Sequence, residues 1–300
     1  MLKCLLIAIA GLFLMNTVVA QPANVSVLKA KTQTALDEIV RRSRGVMGYC
    51  VLDLTDGTRF AHNESLVFPQ ASAIKIAILM EVYKQANEGR FKLTDLRTIR
   101  KEDKVGGSGI LVNLSNDSVQ LTIRDLCVLM IVLSDNSATN ILIDLVGQDN
   151  INATMDSLGL KETRVRRRMM DTAASHRGNE NTSTPEEAVR IMELLHNGKF
   201  ISRTACKDML SILKKVENTN LAKGLPSTVA IATKPGGIAG VTTQWAIVYA
   251  EDRPYAVAVM ENYGMGDAPE IMQELSTVMY DYFWRMGKAT SHGTLVTKPK

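Results

Sequence analysis

Metal-binding residues are scarce in this chain, and those present are poorly placed for metal chemistry. The four histidines (His62, His176, His196 and His292) are scattered. There is no His-Glu-x-x-His and no pair on one helical turn, so neither a metal enzyme nor a local Ser-His-Asp elbow is expected. Of the four cysteines, Cys4 falls in an apolar leader and Cys50, Cys127 and Cys206 lie far apart. That spacing is not a metal pattern, and an odd count in an exported protein leaves at least one free thiol. Buried small hydrophobes are the leading expectation for all three, with a Cys50–Cys206 bridge left open. Charge of one sign is also missing. Lys and Arg number 35 against 31 Asp and Glu, a net +4, which argues against a nucleic-acid partner. The one dense basic patch, Arg164, Arg166, Arg167 and Arg168, reads as a solvated or ion-paired loop. Beyond the leader, no stretch reaches the roughly 18 uninterrupted apolar residues of a membrane-span candidate. The glycine-rich run Gly106-Gly107-Ser108-Gly109 does not continue as Gly-Lys-Ser/Thr, which disfavours a phosphate cradle. No metal and no cofactor is expected.

What is present begins with an export signal. Lys3 supplies a short positive region, Leu5 to Met15 an apolar one, and Val18-Val19-Ala20 a small-residue cleavage site. Residues 1–20 are therefore read as a signal peptide, with a periplasmic or secreted protein starting near Gln21. Cys4 sits too early to anchor a lipoprotein. The full 300 residues, 46% hydrophobic and 22% charged, suit a globular protein with a substantial core, expected to be a monomer.

The pattern of elements implies strands at both ends and helices between. Residues 25–42 carry apolar side chains at helical spacing. Residues 45–63 read as a hairpin turning at Thr55-Asp56-Gly57. Helices follow from Ser72 to about Glu88, from Thr122 with a capping start, from Ala138 to Val146, over 151–160, from Pro185 with Thr184 as N-cap, and over 202–216. Residues 161–184 are polar and irregular, a long loop of the kind that is often functional. Near the end, Val229–Lys234, Thr243–Ala250 and Tyr255–Met260 form an antiparallel meander, with Pro235-Gly236-Gly237 breaking the first strand. Asp267–Met286 closes the chain as a helix. The expected architecture is α/β (α+β): an antiparallel sheet from residues 21–66 and 215–290 flanked by helices, an all-α insertion over 67–214, and a tail over 291–300.

Three Ser-x-x-Lys matches occur: Ser26/Lys29, Ser72/Lys75 and Ser211/Lys214. Three-residue spacing puts both side chains on one helix face, and a lysine in a partly dry site can lose its proton and act as base toward the serine. The outer two lie in amphipathic surface helices. Ser72/Lys75 instead follows Phe68-Pro69 and opens the apolar run Ile76-Ala77-Ile78-Leu79-Met80. Downstream come Ser134-Asp135-Asn136 at a helix end and Lys234-Pro235-Gly236-Gly237 at a strand end.

In this order and layout the mature chain resembles the class A β-lactamases and the related penicillin-recognising D,D-peptidases, whose motifs are Ser-x-x-Lys, Ser-Asp-Asn and Lys-Thr-Gly. The resemblance implies that Ser72 is the acylated nucleophile and that Lys75 accepts or relays its proton. Ser134 would protonate the leaving nitrogen, helped by Lys234, whose charge also draws a substrate carboxylate. Asn136, Gly236 and Gly237 would contact substrate, with the N–H groups of Ser72 and Gly237 forming the oxyanion hole. The implied substrate is a β-lactam. Alternatives are a D-Ala-D-Ala-like peptide or a small ester or amide with slow β-lactam deacylation, and a non-catalytic penicillin-binding sensor module.

Departures from the family pattern bear on the last step. The family's loop glutamate, which activates the deacylating water, is expected near Met169, and Arg168-Met169-Met170-Asp171 offers no Glu. Asp171 and Glu180 are the remaining candidate bases. Pro235 replaces the hydroxyl residue that helps bind a carboxylate, and Gln244 stands where the following strand would carry an arginine. Cys127 matches half of a disulfide found in many members, but Leu79 occupies the partner position, so that bridge is absent. Asn181 is expected to tie the neck of the loop to Arg167, and Ser108 is a candidate for the cleft wall.

Overall fold

The computed structural model describes residues 23–296; the leader expected over residues 1–20 and the end of the tail lie outside them. In chain order the strands are β1 (Val46–Asp53), β2 (Arg59–His62), β3 (Phe68–Pro69), β4 (Leu96–Thr98), β5 (Gln120–Thr122), β6 (Thr182–Ser183), β7 (Ile231–Ile238), β8 (Val241–Val248) and β9 (Tyr255–Asn262). The helices are α1 (Ala23–Val40), α2 (Lys75–Asn87), α3 (Ile123–Val132), α4 (Asn136–Val146), α5 (Gln148–Ser157), α6 (Thr172–His176), α7 (Pro185–His196), α8 (Arg203–Leu213), α9 (Asn220–Lys223) and α10 (Ala268–Lys288).

Five strands form one antiparallel sheet in the order β2-β1-β9-β8-β7, drawn from both ends of the chain. Successive side chains on a strand point to opposite faces, and here both faces are apolar. Tyr49, Val51, Ala246, Val248, Val257 and Val259 pack with Leu36 of α1 and Phe283 of α10. Their neighbours Cys50, Trp245, Ile247, Ala256, Ala258 and Met260 face the other way, toward a core shared with α2, α3, α4, α7 and α8. Helix α2 runs through that second core and is buried on every side from Lys75 to Tyr83. A helix apolar all round belongs in an interior, which explains its unbroken Ile-Ala-Ile-Leu-Met run. Among the described residues, no helix is long and apolar enough to cross a membrane.

Local signals set several boundaries as expected. Thr122 caps α3, its Oγ1 accepting from Asp125 N at 3.0 Å. Thr184 caps α7 ahead of Pro185, accepting from Glu187 N at 3.2 Å. All three described cysteines are free and buried, so the Cys50–Cys206 bridge does not form.

Two expectations are corrected. Pro235 does not break its strand: β7 continues to Ile238 in register with β8, Pro235 opposite Gln244. Tyr249 N donates to Ala230 O at 2.9 Å, so by the antiparallel alternation even-numbered residues of β7 face β8 and odd-numbered ones face the open edge. Proline's missing N–H therefore falls on the edge, where no ladder bond is lost. The long loop is not structureless either. It carries the short α6, and β6 pairs with β3 just ahead of Ser72. Its arginines are engaged: Arg164 with Asp156, Arg167 with Glu180 and Arg168 with Asp144 as ion pairs, and Arg166 with Glu180 O.

Phe283 stacks on Tyr255 with centroids 4.2 Å apart and meets Phe60 and Tyr282 edge-on. Phe283→Ala should cost about 3–5 kcal/mol of unfolding free energy, measured by urea denaturation. A loss under about 1 kcal/mol would show that α10 contributes little to this core.

Candidate active site

The site grows from the turn before α2. Residues Ala71–Ile74 form one 3-10 turn, and Lys75 begins the α-helix. Ser72 thus precedes the helix proper, where Lys75 lies one turn on. Ala71 is held at φ 44°, a left-handed conformation that non-glycine residues adopt only when the surroundings enforce it. Gln70, fully buried, supplies much of that enforcement. Its N–H donates to Asn181 O at 2.8 Å, its Nε2 to Phe68 O at 2.9 Å, and its Oε1 accepts from Trp245 Nε1 at 2.9 Å.

Between α3 and α4, Ser134 takes φ 53°. This turns its hydroxyl and its carbonyl toward α2. Lys75 Nζ lies 2.8 Å from Ser134 O, 3.1 Å from Ser134 Oγ and 3.0 Å from Asn136 Oδ1. Lys234, from β7, reaches the same hydroxyl, its Nζ 3.1 Å from Ser134 Oγ and 3.0 Å from Pro235 O. One hydroxyl oxygen therefore sits between two lysines, exposed 0% and 2% respectively. Burial holds Lys75 well below the usual lysine range, the charge of Lys234 pushes it further down, and Asp135 partly opposes both. Burial alone brings Lys234 down to about 7.

Asp135 has a structural task that its place in the motif does not disclose. Its Oδ1 caps α4 through Ala138 N at 2.8 Å, and its Oδ2 accepts from Ile110 N and Leu111 N at 2.7 and 2.9 Å. The glycine-rich loop is pinned against it. Gly109, at φ 115°, lies so close that a Cβ would fall 2.2 Å from Asp135 Oδ2. Asn136 completes the clasp, donating from Nδ2 to Gly106 O at 3.1 Å.

These elements enclose a cleft of about 480 Å³ with Ser72, Ser108, Asn136 and Gly237 in its lining. Arg167, Met169, Met170, Ser175, Asn181 and Ile238 also line it. Gly237 is exposed at the cleft, and the alternation of β7 turns its N–H to the open edge. Gly236 is buried behind it. Gln244 points elsewhere, its Nε2 donating to Thr219 Oγ1 at 2.7 Å and Thr233 Oγ1 at 2.9 Å.

Neither candidate base lines the cleft. Asp171 caps α6, accepting from Ala174 N at 2.9 Å. Glu180 binds Arg167 through Nε and Nη2 at 3.1 and 2.9 Å and also accepts from Ser175 Oγ. Asn181 ties the loop's neck, its Oδ1 accepting from Arg166 N and Arg167 N at 2.7 and 3.0 Å. Met169 is clamped by Asn140, which accepts from its N–H at 2.8 Å and donates to its carbonyl at 3.1 Å. The other Ser-x-x-Lys matches lie apart. Ser26 is exposed on α1, Ser211 bonds Asp208 O, and Lys214 covers the Tyr249 ring at 3.9 Å.

The contributions of Gln70 and Asn140 were not legible beforehand. A glutamine before a small residue and an asparagine inside a helix carry no local signal, because the partners Asn181 and Trp245 of Gln70 and Met169 of Asn140 are more than twenty residues away in sequence.

Lys234 yields a pH prediction. With its pKa pushed from 10.5 to about 7, the folded protein binds fewer protons than the unfolded chain in that window. Its burial therefore costs most below the window and progressively less as pH rises through it. Relative to Lys234→Met, the wild type should gain stability as pH rises from about 7 towards 10.5, by up to about 1.4 kcal/mol per pH unit. Urea unfolding of both proteins across this range measures it; a pH-independent difference would contradict the assignment.

Comparison with known proteins agrees with this geometry. The model of the β-lactamase enzyme family, Beta-lactamase2, matches residues 31–283. The chain is 28% identical over 227 residues to β-lactamase L2 of Stenotrophomonas maltophilia, covering 74% of this chain and 73% of that protein. It superposes on the β-lactamase of Sphaerobacter thermophilus with a TM-score of 0.76 at 28% identity, covering 83% and 95% of the two chains. It superposes equally well on PBP-A, with a TM-score of 0.78 at 27% identity, covering 84% and 96%; a mutant of PBP-A has been solved as an acyl-enzyme complex with penicillin-G. The chain belongs to the β-lactamase enzyme family, as a serine hydrolase of β-lactamase type.

Proposed function

We propose that this protein opens the amide of a β-lactam ring through an acyl-enzyme on Ser72, and that release of the acyl group is its slow step. The observation that carries the first half is the environment of Lys75. Its Nζ has two strong acceptors, Ser134 O and Asn136 Oδ1, and burial disfavours its charge. A neutral amine donates both N–H groups to those oxygens and keeps its lone pair for a hydroxyl proton.

The proposed steps are these. Ser72 Oγ bonds to the lactam carbonyl carbon while its proton passes to Lys75. The carbonyl oxygen takes up negative charge facing Ser72 N–H and the edge-directed N–H of Gly237. As the C–N bond breaks, Ser134 delivers its hydroxyl proton to the nitrogen and recovers one from Lys75 across 3.1 Å. Lys234, on the other side of that hydroxyl, supplies the charge that meets a substrate carboxylate.

Deacylation has less support. The cleft wall that would hold a base carries the thioethers of Met169 and Met170, and no carboxylate is among the lining residues. Water must then be activated by Lys75 alone, without the usual positioned carboxylate. The same feature favours as second reading a D-Ala-D-Ala-like peptide substrate, with β-lactams as slowly released acylating agents. Residues 1–20 support export to the periplasm or beyond.

Time-resolved intact mass spectrometry with a penicillin tests the proposal. A Ser72-dependent adduct should form in seconds and persist for minutes, and Ser72→Ala should show none. Met169→Glu places a carboxylate on the backbone that Asn140 holds, and should shorten the adduct's life about tenfold or more. Absence of any Ser72-dependent adduct would overturn the function, and an adduct lost as fast as it forms in the wild type would overturn the slow step.

A further inference from the structure

Gly236 is the one glycine of β7 that the protein's own packing requires. A Cβ there would lie 2.5 Å from Gln70 O, 2.7 Å from Ala73 N and 2.7 Å from Thr243 Oγ1. Those three atoms are already joined. Ala73 N donates to Gln70 O at 2.9 Å, and Thr243 Oγ1 donates to the same oxygen at 3.0 Å. Thr243 sits opposite Gly236 in the β7–β8 register. A hydroxyl from β8, the strand next to β7, thus reaches past a position without a side chain to the carbonyl two residues before Ser72. At Gly237 the contrast is plain, since its Cβ would meet nothing nearer than Val241 O at 3.8 Å.

This bond spans the two halves of the oxyanion site. One donor, Ser72 N–H, belongs to the turn before α2; the other, Gly237 N–H, belongs to an edge strand. Neither backbone ladder nor helix joins these elements directly. Donor placement to within a few tenths of an ångström decides how well a developing oxyanion is held. Thr243 is buried, so its hydroxyl acts as a fixed brace. We propose that Thr243 is a positioning residue: through Gln70 O it sets the distance between Ser72 N–H and Gly237 N–H. The proposal rests on the acyl-enzyme reading above.

Thr243→Val keeps the shape and removes the hydroxyl, and Thr243→Ser restores it. The rate of adduct formation at saturating penicillin should fall about 10- to 100-fold in the valine variant, with the half-saturating concentration within about twofold of wild type. The infrared band of the acyl carbonyl should move to higher wavenumber, because weaker hydrogen bonds leave the C=O stiffer, and the serine variant should recover both rate and band. Thr243→Ala gives the same readouts should the valine variant fail to fold. A wild-type rate and band in Thr243→Val, or a lost rate with an unmoved band, would overturn the role of Thr243. A wild type that forms no adduct would instead overturn the acyl-enzyme reading and this role with it.

Discussion

Two lysine side chains meeting at one serine hydroxyl is an arrangement that water would dissolve. Both ammonium groups would be hydrated and would repel each other. Here Lys75 and Lys234 are enclosed by α2, α4 and β7, and the surrounding protein supplies oxygen acceptors in place of water. The left-handed backbone of Ser134 is what presents two of those oxygens at once. Asp135, locked to the glycine-rich loop, prevents that turn from relaxing. The all-round burial of α2 bears on the same point, since burial of its first turn is the main cause that lowers the pKa of Lys75.

The long loop answers a different constraint. Its own charges are satisfied locally: Arg167 closes on Glu180, Arg168 on Asp144, and Asp171 on the start of α6. None of the carboxylates in these pairings lines the cleft, whose wall on this side carries Met169 and Met170. On the proposed reading, two buried amines and a cleft lining without a carboxylate give a means of taking a proton from a serine hydroxyl and a poorer means of activating water. On the proposed acyl-enzyme reading, the balance between forming and hydrolysing the ester is set by residues of this loop.

Much of the fold was legible in the chain. The β-branched runs near both ends, the Thr122 and Thr184 caps and the apolar run after Lys75 each depend on neighbours within a few positions, so their physics is local. Pro235 misled because its effect depends on which edge its absent N–H faces, and only the strand order settles that. The long loop misled because Arg, Asn and Ser look unstructured when their partners are not yet placed.

The site divides along the same line. The chemical groups were determined by the sequence alone: Ser72, Lys75, Ser134, Asn136 and Lys234 stand in motifs whose spacing is recognisable without coordinates. What those groups can do was decided by the tertiary structure. Burial lowers the pKa of a lysine, a missing Cβ at Gly236 admits a hydroxyl from β8, and Asn140 holds Met169 in the cleft wall. Such effects arise between residues distant in sequence, through exclusion of water and close approach of backbones, and no stretch of the chain carries them by itself.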